Sequence, residues 1–331
     1  MKTRFVGYSI SIALLCIVAA LAIYIGSVKV PISALWDPAS TDEASANILW
    51  KIRLPRVILA GLVGAALAMA GAAFQGLLKN PLADPYTLGV SSGASVGAVM
   101  TIFFGLSTSA LGLLTLPIFS MIGALFAMII VLGFARLIDR SMKMETLILT
   151  GIIVSAFLSA VISLMIALTG EELRQILNWT MGSVSMRGWV YIQMIWPFML
   201  IGAVLLWLNR KELNALLFGE ERAHYLGVNV KRSKWMILIG GSILTGCAVA
   251  VSGTIGFIGL VVPHMTRLMF GTDHRHLLPL SMINGATLLI ACDLVARTII
   301  APSELPIGVI TSFIGAPVFA FIFFKQRRKG R

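Results

Sequence analysis

The sequence predicts an all-α polytopic membrane protein, a single domain over 1–331 with about ten spanning helices. Three observations predict it. Hydrophobic residues fill 58% of the 331 positions and charged residues only 12%, where a soluble chain carries about 25% charged residues. Mean hydropathy is +0.93. Apolar runs near span length, about 20 residues, recur along the whole chain, and no stretch between them is long enough for a soluble domain.

The first run, 5–26, follows a short basic start, "MKTR", and contains "AALA" at 19–22. That pairing resembles a secretory leader, but the run is too long for a leader's core of about 7–15 residues, so it reads as the first span. A long connector, 27–56, ends in "KIRLPRV", three cations around one proline. The second run, 57–78, contains "GLVGAALAMAGAAFQG", and the third, 86–104, carries Gly89, Gly93 and Gly97 at spacings of four. In lipid, small residues at that period let helix backbones approach closely, so both runs read as tightly packed within one bundle. Runs at 113–136 and 146–168 follow, then a connector at 169–189 with a helical opening, then a run at 190–208. The charged stretch 209–234 precedes the last four runs, 235–252, 257–270, 277–297 and 306–324. The segment 257–270 is short and interrupted by Pro263.

Ten spans put both termini on one side. That side, with the connectors near 79–85, 136–145, 209–234 and 267–276, holds nineteen of the 26 Lys and Arg; the other holds seven. The bias assigns the termini to the cytoplasm. Acidic residues split seven and seven, so nearly all of the net charge of +12 lies inside, facing anionic lipid. Nucleic acid is excluded as a partner because no soluble basic face exists. Cys16, Cys247 and Cys292 each lie in an apolar run and read as small packing residues, not disulfide partners.

Few residues can do chemistry. No G-x-x-x-x-G-K-[ST] loop or H-E-x-x-H helix is present. His274 and His276 flank Arg275 in a connector and read as solvated, and His264 beside Pro263 reads as packing; no metal site is expected. An ion-coupled secondary transporter, the reading from another class, should place a carboxylate deep in the bilayer. Glu145, Asp293 and Glu304 fall near the ends of runs, and Gln75 and Asn284 cannot carry a proton. The bundle therefore lacks an engine of its own. In 209–234, Leu213, Leu216 and Leu217 share one helical face, Gly219 can end that helix, and "EERAHYLGV" starts another with Glu220 and Glu221 at its positive end. Two short helices joined at a glycine read as a compact cytoplasmic knob over about 213–228, with a charged connecting loop as the alternative.

Five blocks in order resemble one family: "RLPR" at 53–56, "AGAAFQGLLKNPLADPYTLGVSSGASVGA" at 70–98, "GEERAHYLGV" at 219–228, "VSGTIGFIGLVVPHMTRLMFGTDHR" at 251–275 and "ELPIGVITSFIGAPVFAFI" at 304–322. The chain resembles the permease subunits of binding-protein-dependent ABC importers for iron complexes and cobalamin. The resemblance implies a type II importer bundle of ten transmembrane helices in a bacterial cytoplasmic membrane. It also implies a second permease subunit, identical or similar, an extracellular or periplasmic substrate-binding protein, and a pair of cytoplasmic ATPases. ATP with magnesium sits on those ATPases; this chain holds no cofactor and is not itself an enzyme. The resemblance assigns ATPase coupling to Gly219, Glu220, Glu221, Ala223, Leu226 and Gly227, and an inner gate to Asn80, Leu82, Met144 and Glu145. It assigns binding-protein docking to Arg53, Arg56 and Arg297, whose planar forks suit carboxylates, and leaves Lys51 unassigned. The expected cargo is an iron(III)–siderophore complex, with cobalamin or haem as alternatives.

Overall fold

The computed structural model describes residues 2–26, 28, 30–31, 42–106, 112–139 and 143–329. Part of the expected outer connector (27, 29 and 32–41) and Arg140 lie outside the described residues. All ten apolar runs are helices, and the described secondary structure is entirely helical. In chain order these are α1 (Lys2–Tyr24), α2 (Glu43–Asn47), α3 (Leu54–Leu77), α4 (Val90–Phe103), α5 (Thr115–Ile138), α6 (Met144–Leu168), α7 (Leu173–Thr180) and α8 (Trp189–Leu208). Then come α9 (Arg210–Leu216), α10 (Glu220–Tyr225), α11 (Val230–Ser252), α12 (Ile258–Phe270), α13 (His274–Thr298) and α14 (Ile307–Lys329). Among the described residues seven helices are long and apolar enough to cross a membrane, and three more, 90–103, 258–270 and 307–321, are apolar but shorter. The end of the bundle carrying α9 and α10 is called the inner end below, following the charge bias, and the opposite end the outer.

Helix α3 forms the centre. It is apolar all round and buried along nearly its whole length, as expected of a helix enclosed on every side. It packs on α13, α11, α12 and α8. Its glycines make this possible. A Cβ on Gly64 would strike the carbonyl of Gly285 in α13, and one on Gly71 the carbonyl of Gly259 in α12. The period-four glycines of the third run work the same way. Gly93 and Gly97 abut the backbones of Gly123 and Phe119 in α5, while Gly89 caps α4 in a left-handed conformation. Around this centre, α1, α5, α6, α8 and α14 leave large apolar side chains exposed, among them Ile17, Phe126, Phe157, Trp196 and Phe313. Cys247 and Cys292 are buried separately, as read; Cys16 is corrected, being exposed on α1, whose outward face the bundle does not cover.

Two features depart from ten simple spans. Helix α2 runs through a wide π turn, Ile48–Arg53, into α3. Pro55 follows the turn and has no N–H for a regular bond, and the Leu54 N–H instead reaches the Leu49 carbonyl five residues back. Helices α4 and α12 have 14 and 13 residues, so they reach only about 20 Å against a hydrocarbon core of about 30 Å. The stretches before them, 78–89, which holds a short 3-10 turn at Pro85–Leu88, and 253–257, brace each other. Tyr86 Oη donates to the Ile255 carbonyl at 2.8 Å and accepts from the Ile255 N–H at 3.0 Å. Irregular backbone in an apolar bundle is tolerable when its polar groups are satisfied inside the protein.

Candidate functional site

The inner end carries the expected knob. Leu213, Leu216 and Ala223 are buried and root it, whereas Leu217, expected on the same face, is 37% exposed, because helix α9 ends at Leu216. Gly219 (φ 111°) and Gly227 (φ 83°) adopt backbone conformations that side-chain-bearing residues disfavour. They bracket α10, whose Glu220 and Glu221 sit in its first turn. Phe218, Tyr225 and Leu226 protrude at 65%, 80% and 68% exposure.

Two ties hold the knob. Lys234 Nζ at the foot of α11, almost fully buried, pairs with Glu220 Oε2 at 2.6 Å. Asn214 of α9 joins α13: its Nδ2 donates to Asp273 Oδ1 at 2.7 Å, and its Oδ1 accepts from the His274 N–H at 2.8 Å. His274 Nδ1 lies 2.9 Å from the same oxygen. Burial raises the Asp273 carboxyl, but bonds from Asn214 and from the Arg275 N–H outweigh it, so the group sits below the usual range. The two histidines expected in solvent are thus corrected. His274 is fully buried against Gly76 and Asn214, and His276 is half-buried with Nδ1 3.4 Å from Tyr8 Oη. The reason is that α13 starts at Asp273, its N-cap, earlier than the apolar run suggests.

The expected gate residues lie beside the knob. Met144 and Glu145 open α6, and the Asn80 side chain caps a local turn by accepting from the Leu82 N–H at 2.9 Å. A cleft of about 460 Å³ is lined by Leu77, Lys79, Lys143, Met144, Glu145 and Glu220. It brings Met144, Glu145 and Glu220 together; Asn80 and Leu82 are not in its lining. Gln75, the polar residue of the second run, is buried: its Nε2 donates to the Leu260 carbonyl at 3.0 Å, and Arg267 Nη1 donates to its Oε1 at 3.1 Å.

The outer end gathers Arg53, Arg56 and Arg297, but faces them inward. Their exposures are 4%, 7% and 6%. Arg53 Nη1 donates to the carbonyls of Ile23 and Tyr24, both at 2.9 Å, and Nη2 to that of Val28, tying down the end of α1. Arg56 clamps Asp293 of α13, with Nε 3.0 Å from Oδ1 and 3.1 Å from Oδ2 and Nη2 2.9 Å from Oδ1. Its remaining nitrogen, Nη1, meets Glu304 Oε1 at 2.7 Å and Ser185 Oγ at 3.4 Å. Arg297 Nη2 donates to the Ala22 carbonyl, and its Nε lies 3.8 Å from Asp293 Oδ2. Residues 53 and 56, one helical turn apart, share a face, and that face lies on α13 and the end of α1. Lys51 is the exposed cation of the cluster.

Sequence reasoning missed Asp293 and Glu304 as partners of these arginines. One signal was available: Asp293 precedes Arg297 by four positions in an apolar run, and an acid there needs a cation. Nothing local marked Asn214 or Glu304.

The FecCD transport family matches residues 14–325. The chain is 57% identical over 340 residues to the uncharacterized ABC transporter permease protein YvrB of Bacillus subtilis, covering 100% of this chain and 96% of that protein. It is 41% identical over 319 residues to the hemin transport system permease protein HmuU of Yersinia pestis, covering 96% and 94%. A solved metal-chelate type ABC transporter in an inward-facing conformation superposes with a TM-score of 0.86 at 32% identity, covering 97% of this chain and 99% of that one.

Proposed function

Because the chain belongs to the FecCD transport family and is an ABC importer permease, we propose that it moves an iron(III)–siderophore complex across a bacterial cytoplasmic membrane by alternating access. Partner ATPases drive it from the inner end, where both termini lie by the charge bias. A substrate-binding protein delivers cargo at the outer end. A second permease subunit, the same chain or a paralogue, completes the pathway.

The observation that carries the ATPase contact is the protruding trio Phe218, Tyr225 and Leu226 on a knob rooted by buried leucines. The patch stands among the charged side chains of Glu220, Glu221 and Arg222. An apolar patch rimmed by charge marks a protein contact. ATP binding would draw the ATPases together, and the knob would pass that motion through Asn214 and Lys234 to α13 and α11. The cleft at Met144, Glu145 and Glu220 supports a gate that feels the knob directly, with Asn80 and Leu82 beside it. Deleting Glu220 to Gly227 should abolish substrate-stimulated ATP hydrolysis in the reconstituted complex; full stimulation in the deletion refutes the assignment.

At the outer end, acidic residues of the binding protein would meet the cluster of Arg53, Arg56 and Arg297. The excess of cation over carboxylate there supports that reading. The siderophore cargo rests on the frequency of ferric siderophores among the systems the chain resembles. Haem, the cargo named for the Yersinia relative, and cobalamin are the alternatives. Titrating the cognate binding protein with ferric siderophores, haem and cobalamin decides among them.

A further inference from the structure

Arg56 holds two carboxylates of opposite character. Asp293 is sealed in, its side chain 1% exposed and gripped through three contacts; Glu304, 38% exposed, is held through one guanidinium nitrogen. Glu304 lies on the connector 299–306 between α13 and α14. The backbone on either side of it is anchored separately: the Ser303 N–H bonds the Ile300 carbonyl at 3.1 Å and the Leu305 N–H bonds the Ala296 carbonyl at 2.9 Å. The Glu304 side chain can therefore leave Arg56 while its connector stays in place. Three arginines face two carboxylates here, so the cluster keeps a net positive charge with Glu304 seated and gains another unit when Glu304 departs.

We propose that Glu304 is a built-in occupant of a carboxylate seat on Arg56, displaced by an acidic side chain of the docking protein. This rests on the docking reading above and adds what that reading lacks, an answer to how a buried arginine is reached. The Nη1 contacts of Arg56 are part-buried where its Asp293 contacts are buried, and Glu304 is the carboxylate seated on Nη1. An internal competitor weakens docking, which suits a partner that must leave after each delivery. Ser185 steadies the resting state, lying beside both Arg56 Nη1 and the Glu304 carboxylate. Docking also acquires a route inward, since Glu304 stands three residues ahead of α14.

The test uses the assembled transporter in nanodiscs and its cargo-loaded binding protein, measured by surface-immobilised binding. Glu304→Gln and Glu304→Ala should tighten docking, on the order of two- to fivefold, the value of one partly exposed ion pair. The gain should disappear against a binding protein whose docking-face acids are changed to amides. Unchanged or weaker docking by both variants overturns the proposal, as does a gain that survives neutralisation of the partner. If the neutralised partner docks to the wild-type transporter as tightly as the native one, the docking reading itself fails, whatever Glu304 does.

Discussion

The two ends of the bundle are fastened by opposite chemistries. At the outer end, Arg56, Asp293 and Arg297 form an ion cluster out of water. At the inner end, the Asn214 amide joins α9 to α13, and the ion pair Lys234–Glu220 has a half-exposed acid. Buried charges are tolerated only when paired, because each costs several kcal/mol to desolvate. A hydrogen bond contributes about 0.5–1.5 kcal/mol net and can be remade in a second geometry. The outer clasp therefore favours one arrangement, with Glu304 as its loose member, while the inner ties are weak enough to be exchanged.

The comparison breaks most visibly at Asp293. Asp293→Ala leaves the buried Nε and Nη2 of Arg56 unpaired, with only Nη1 still on Glu304, and should cost about 3–5 kcal/mol, read as a lowered thermal unfolding midpoint in detergent. Replacing both partners, Arg56→Met with Asp293→Leu, should cost less than the single change. A larger loss in the double variant would mean that the cluster stabilises the fold as a charged unit. Asn214→Ala should cost less, about 1–3 kcal/mol for the partners it strands. Its main effect should be on coupling: more ATP hydrolysed per cargo moved in proteoliposomes. Unchanged stoichiometry would remove Asn214 from the transmission route. Glu220→Gln should be mildest in stability, under about 1 kcal/mol, because the acid is itself half-exposed and the amide oxygen that replaces it can still accept from Lys234. A loss matching that of Asp293→Ala would erase the distinction between the ends.

Acid sharpens the same contrast. The bond from Arg56 outweighs burial and holds the Glu304 carboxyl below its ordinary range. Its contact is therefore complete at neutral pH and is lost only as pH falls through that lowered value.

Much of the architecture was legible in the chain. Apolar length marked all ten helices, and the period-four glycines announced the backbone contacts of α4. Five sequence blocks named the family before any contact was known. What stayed hidden was long-range pairing. Arg56 and Asp293 are 237 positions apart, and Asn214 and His274 are 60; no local pattern links them. The arginines were legible as a group, but their direction depends on which face of α3 is enclosed, and that is decided by α1 and α13. His274 was misplaced because its apolar run begins three residues after its helix does.

Helix α13 takes part in both fastenings. Its N-cap, Asp273, is bound to the knob, and Asp293 and Arg297 sit near its far end, across 25 residues or about 37 Å. Its contact with α3 near Gly285 is backbone against backbone, which leaves no side chains to yield there. A rod gripped near its middle behaves as a lever with a fulcrum. A tilt of about 10° about that point carries each end about 3 Å, in opposite directions, a displacement comparable to the length of a hydrogen bond. A pull on the knob and a tug at the Arg56 seat would then be one motion read at two ends, with no relay of side chains between them.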